Sequence, residues 1–152
     1  MRIALAAAAL ILIVGGGVYF AVSRRTPSQI PSYAGISLPS VIVKELTPGL
    51  EGAIAFGPGR KAAVHYKAWI YDPALPANQG KLIAESPEDK PLVVEWGKSG
   101  IPVGWEQGMA GMRERAKREL VIPAELAVGK IGGKAVPEGA IVLLQAYVEK
   151  VD

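Results

Sequence analysis

The chain has 152 residues, half of them hydrophobic, and a formal net charge of +3. It has no cysteine, which excludes disulfides, thiolate catalysis, Fe–S clusters and a lipoprotein-type lipid anchor. The basic balance does not point to nucleic acid. With Arg2, Arg24 and Arg25 set aside, 14 of the 17 Lys and Arg remain against 14 Asp and Glu, and Glu114 interrupts the one basic run, "RERAKR".

Residues 3–22, "IALAAAALILIVGGGVYFAV", carry no charge. A helix of that length spans about 30 Å, the thickness of a bilayer's hydrocarbon core. Tyr19 and Phe20 stand near its end, where aromatic rings favour the membrane interface. Residues 1–25 are therefore expected to form a transmembrane signal anchor that meets the lipid bilayer through residues 3–22. The competing reading is a cleaved signal peptide. "AVS" at 21–23 fits a cleavage site and Arg2 a basic n-region. The apolar run exceeds the usual core of such a peptide, which favours the anchor. Arg2 and the N-terminal amine balance Arg24 and Arg25, so charge barely decides orientation. A signal-like N-terminus suits export. The expectation is a single pass through the inner (cytoplasmic) membrane, with the remainder of the chain on the periplasmic side. Residues 26–39, "TPSQIPSYAGISLP", hold three of the twelve prolines and read as a semi-extended tether.

From residue 40 to 152 the pattern is mainly β. "VIVKEL" (41–46) is a short strand ended by "TPG". "AAVHYKAWIY" (62–71) alternates, with Val64, Tyr66, Ala68 and Ile70 on one face and His65, Lys67, Trp69 and Tyr71 on the other. "DPALPANQG" (72–80) is a long loop. "KPLVVEWG" (90–97) and "ELVIP" (119–123) are further strands. "AIVLLQAYVEKV" (140–151) is apolar on both faces at its start and is expected to be central. Only "VGWEQGMAGM" (103–112) suggests a helix, and a short one. These elements imply an α+β fold class: a bent antiparallel sheet wrapped around one short helix, preceded by one N-terminal transmembrane helix.

The residue types offer no cysteine thiolate and no metal-ligand cluster. The single histidine, His65, reads as a strand residue with its ring bonded locally. Arg113, Arg115, Lys117 and Arg118 read as a solvated edge. No cofactor and no metal are expected.

Several stretches stand in a telling order: "AVHYKAWI", "GKLIAES", "PLVVEWGKSGIPVGWEQGMAGM", "ELVIPAELAVG" and "VPEGAIVLLQAYVEKV". In that order they resemble the FKBP-type peptidyl-prolyl isomerases over residues 40–152. The resemblance implies that Trp105 floors a prolyl pocket and that Tyr66 is its strand tyrosine. Ile101 would be an aliphatic wall residue. The neighbouring amide usually contacts ligand, but here it belongs to Pro102, which has no N–H. Ile83 and Ala84 stand where the family has Phe-Asp, and Val128 where it has Tyr. Leu92 and Leu143 stand where it has aromatics. The implied substrate-binding set is thus Tyr66, Ile83, Leu92, Ile101, Trp105, Val128 and Leu143, an apolar cavity with three polar handles removed.

That reaction asks for little. An X–Pro amide rotates over a barrier of about 18–20 kcal/mol, slowly enough to limit folding. The twisted amide is less polar than the planar one, and a dry preshaped pocket favours it. Two functions are compatible with these residues. One is a membrane-tethered prolyl isomerase with a weakened pocket, acting on proline-containing polypeptides. The other is an FKBP-like binding module that serves as an accessory or assembly subunit of a membrane protein complex. The loop at 72–80 exceeds the family's turn by about seven residues on motif spacing, and loops of that kind are more often functional than idle. Its tip, Pro73–Gln79, is expected to contact a partner.

Overall fold

A computed structural model describes residues 40–152. Before them it also describes two paired two-residue strands, Ile13–Val14 and Gly17–Val18. The transmembrane and tether expectations fall on residues 1–39, and apart from those four residues that stretch lies outside the described residues. Among those described, no helix is long and apolar enough to cross a membrane.

The strands of the main sheet are β1 (Ile42–Thr47), β2 (Lys61–Tyr71), β3 (Gln79–Glu85), β4 (Leu92–Glu95), β5 (Lys117–Ile122) and β8 (Val142–Val151). Their order is β1-β5-β8-β2-β3, antiparallel throughout. Strand β4 pairs with the first half of β2, from Lys61 to Val64, while β3 pairs with its second half, from Lys67 to Tyr71. One strand thus carries two successive partners. Strand β8 lies in the middle, as its two-faced apolar start implies. Strand β3 has no strand signal of its own in the sequence. Its pairing with β2 shifts register twice, and a bulged edge strand shows no clean alternation.

The single helix, α1 (Val103–Met109), lies against β5. Gly104 and Gly108 recur at the spacing that puts two residues on one helix face. A Cβ at Gly104 would collide with Ile122, and one at Gly108 with Leu120. The two glycines therefore let the helix backbone sit directly on the β5 side chains. Arg118, on β5, ties down the other end of α1. Its guanidinium donates to the carbonyls of Gly108 (3.1 Å) and Ala110 (2.7 Å) and pairs with Glu45 at 3.3 Å. Positive charge at a helix C-terminus is favourable there. Arg118 is consequently well packed and does not belong to the solvated edge expected for its run.

Alternation along β2 and β8 divides the sheet. Val64, Tyr66, Ala68 and Ile70, with Val142, Leu144, Ala146 and Val148, face the helix and form the core with Trp105, Met109, Leu120 and Ile122. The other face carries a cross-strand row: Ile42, Val121, Leu143, Trp69 and Leu82 stand opposite one another across all five strands. The next row along is polar, with Lys44, Glu119, Gln145, Lys67 and Glu85 on the same five strands.

A separate two-stranded hairpin, β6 (Lys130–Ile131) and β7 (Lys134–Ala135), rises between β5 and β8 in the chain. Its two-residue turn, Gly132–Gly133, has φ of 58° and 78°. Positive φ at both positions is the requirement of the tight hairpin turn and suits glycine.

Candidate functional site

Tyr66 projects from the middle of β2 toward α1. Its backbone is clamped by Ser86 on both sides. The Tyr66 N–H donates to Ser86 Oγ at 3.0 Å, and the Ser86 N–H donates to the Tyr66 carbonyl at 3.0 Å. The same Ser86 Oγ lies 3.4 Å from His65 Nδ1, and His65 Nε2 lies 3.1 Å from the Glu149 carboxylate. His65 is thus bonded locally, on the face away from the helix.

Trp105 is the third residue of α1. Pro102 caps that helix, and its carbonyl accepts the Trp105 N–H at 3.0 Å. The Glu106 carboxylate accepts the Gly97 N–H at 2.7 Å and ties the helix start to the preceding loop. These constraints bring the Tyr66 and Trp105 rings to 4.9 Å between centroids, tilted at 60°, a favourable edge-toward-face geometry.

Other members of the expected set belong to, or pack on, the same hydrophobic core. Ile83 is buried in the same cluster, and Leu92 and Ile101 pack against it from its margin. Two expected members are elsewhere. Val128 points to solvent, 75% exposed, while its neighbour Ala127 turns inward. Leu143 is buried but lies on the outer face, beside Trp69 and Val121. The β8 residue that faces the helix is Leu144, paired with Ala68 and Leu120. Strand parity in the sequence carries this distinction. Leu143 shares it with Gln145 and Tyr147, whereas Leu144 shares it with Ala146 and Val148.

Two further contributors lie outside the expected set. Ile131, from the hairpin, is 0% exposed and belongs to the cluster of Tyr66, Ile83, Ala84 and Trp105. Gly132 comes next, at the hairpin tip. A Cβ there would collide with the Tyr66 hydroxyl and stand 3.1 Å from the Ala84 Cβ. A Gly-Gly pair between short alternating stretches is a hairpin signal. The sequence does not reveal where such a hairpin lands.

The site is dry. Trp105 is wholly buried and Tyr66 only 6% exposed, and no charged side chain joins the cluster. Burial pushes the Tyr66 phenol above its ordinary pKa. Among the described residues the buried Trp105 Nε1 has no hydrogen-bond partner. No cluster of His, Asp and Glu able to hold a metal occurs among the described residues. An open groove of about 350 Å³ does exist, lined by Tyr66 together with His65, Lys67, Glu88, Lys117 and Tyr147. Charged side chains rim it and most of its lining faces away from α1, so it is an open surface groove rather than an enclosed chamber around Trp105.

Known proteins resemble this chain in sequence and fold. The sequence model of the FKBP-type peptidyl-prolyl cis-trans isomerases matches residues 52–145. An FK506-binding protein of Neisseria meningitidis serogroup A is 31% identical over 113 residues, which cover 74% of this chain and 96% of that one. The human peptidyl-prolyl cis-trans isomerase FKBP2 is 37% identical over 67 residues, 43% of this chain and 47% of the relative. The crystal structure of FkpA from Escherichia coli superposes with a TM-score of 0.59 at 25% identity, covering 74% of this chain. The match spans about half of FkpA, 48% of its length.

Proposed function

The chain belongs to the FKBP-type peptidyl-prolyl cis-trans isomerases, and from that premise we propose that it is a membrane-tethered, slow member of the family, acting on proline-containing polypeptides at the periplasmic side of the inner membrane. The observation that carries the chemistry is the Tyr66–Trp105 pair, 4.9 Å apart in an uncharged cluster. A prolyl ring laid on that indole leaves water, and the carbonyl before it loses the solvation that favours its planar, polar form. The twisted transition state loses less, so the barrier falls.

Three features support slow turnover. Ala84 offers no carboxylate beside the Tyr66 hydroxyl. Val128 offers no hydroxyl, and its side chain points to solvent. Pro102 offers no N–H to a substrate carbonyl. One oriented hydrogen bond in a catalytic site is worth about 2.7–4 kcal/mol, or two to three orders of magnitude in rate. The uncharged run from Ile3 to Val22 supports the tether.

The test is a proline-limited refolding assay with the full chain. Acceleration above the spontaneous rate, but below that of the Neisseria relative under the same conditions, is expected. Equal rates for the two overturn the slow-member reading, and no acceleration at all overturns the isomerase. Carbonate washing of membranes tests the tether, which fails if the chain is released. A cysteine at Ser28 tests the side of the membrane. Labelling by an impermeant reagent before lysis is expected, and labelling only afterwards overturns the periplasmic assignment.

A second reading, an accessory or assembly subunit of a membrane complex, is favoured by the complete burial of Trp105. An indole sealed from solvent can serve as core. The strained loop after β2 adds to it: Ala77 and Asn78 hold left-handed φ of 53° and 57°, and Leu75 beside them is exposed. Shortening this loop and losing an association of the full-length protein is the outcome that reading expects.

A further inference from the structure

We propose that the β6–β7 hairpin is a built-in occupant of the prolyl site, with Ile131 as its plug, and that substrate enters only when the hairpin lifts. This rests on the reading of Tyr66 and Trp105 as that site. The floor of an open pocket must be reachable by solvent, yet Trp105 is sealed. Ile131 is equally sealed and packs in the same cluster, and its branched apolar side chain is close in size to a prolyl ring. At the tip, Gly132 presses on the Tyr66 hydroxyl and lies against Ala84, leaving no room for a side chain.

Ala84 and Gly132 are therefore a complementary pair. A carboxylate at position 84 would occupy the volume into which the hairpin descends. The residue whose loss weakens the site is the one whose smallness lets it close. The hairpin is attached so that it can move as a unit. Gly129 precedes it and Pro137 comes after it. Its base is held by the Val136 N–H on the Gly129 carbonyl at 3.0 Å, and a cavity of about 120 Å³ lined by Val128, Val136 and Pro137 lies beside that base.

A closed majority state taxes binding. The apparent dissociation constant rises by the inverse of the open fraction, and minor states of this kind are populated at about 0.1–10%. Removing the plug should then lower KM by about tenfold or more while kcat changes little.

The experiment uses the full chain carrying Trp69→Phe and Trp96→Phe, so that Trp105 is its remaining indole. Ile131→Ala removes the plug. Gly132→Ala is the second variant, in case the first fails to fold; it drives the tip off Tyr66 without altering the plug itself. Acrylamide quenching of Trp105 and the KM for a prolyl peptide are read for each. Increased quenching with the tenfold fall in KM is the expected result. Unchanged quenching in folded variants overturns the proposal, as does an unchanged KM in a variant whose Trp105 has become accessible. Increased quenching with no isomerase activity in any form supports the closure and overturns the isomerase reading instead.

Discussion

The Tyr66 hydroxyl and the Gly132 backbone stand so close that a Cβ on the glycine would collide with the phenolic oxygen. This contact joins the middle of the sheet to a hairpin that enters the chain about sixty-six residues later, and it decides how the site responds to substitution.

The first response concerns Ala84. Ala84→Asp alone should raise kcat/KM by about tenfold to a hundredfold or more, since a hydrogen bond to a charged group contributes about 1.5–3 kcal/mol and the larger side chain also displaces the hairpin tip. Val128→Tyr alone should do little, because Val128 faces solvent. Steady-state assays of both single variants and the double variant decide this. If Val128→Tyr supplies most of the double variant's gain, the closed hairpin is not what limits the site.

Leu143 and Leu144 should behave differently although both are buried. Leu144→Ala leaves a cavity beside the Tyr66–Trp105 cluster, which costs about 2–5 kcal/mol of stability and should lower kcat/KM as well. Leu143→Ala opens a gap on the outer face and should leave the kinetics of the folded protein unchanged. Urea unfolding gives the first quantity and the refolding assay the second. Equal kinetic losses would mean that the sheet does not separate the two faces.

Tyr66 makes stability depend on alkaline pH. Its phenol titrates above the ordinary value of 10.0 because burial disfavours the phenolate. In the unfolded chain it ionises near 10. Stability is therefore full below that pH and falls as pH rises from there toward the higher folded-state value. Ultraviolet difference titration should show one tyrosine ionising later than exposed ones, and Tyr66→Phe should flatten the alkaline limb. A Tyr66→Phe variant that loses stability just as steeply above pH 10 contradicts this.

The helix tests a purely steric claim. Gly108→Ala would ordinarily favour a helix, but here its methyl runs into Leu120. The expected result is a loss of about 1–3 kcal/mol from overpacking, seen as a lower urea midpoint with unchanged slope. A more stable variant would mean that α1 is free to move away from β5.

Local chemistry wrote much of this protein plainly into its sequence. The parity of "AAVHYKAWIY" puts Tyr66 on the core face. "VGWEQGM" gives one short helix with Trp105 in it, and the doubly apolar start of the last strand gives its central place. Each of these arises from a side-chain period or a turn residue that acts within a few positions. Parity also distinguishes Leu143 from Leu144, so the inward-facing leucine is legible without coordinates. Other features have no local signature. Strand β3 is recognised only through its bulged pairing with β2, and the packing of Arg118 only by the end of α1 that it caps. Nothing near "KIGG" says that Ile131 will be sealed in the same core as an indole twenty-six residues earlier. That placement depends on how far the hairpin descends. The descent is set by the volume left above Ala84, and volume between distant segments exists only once the chain is folded.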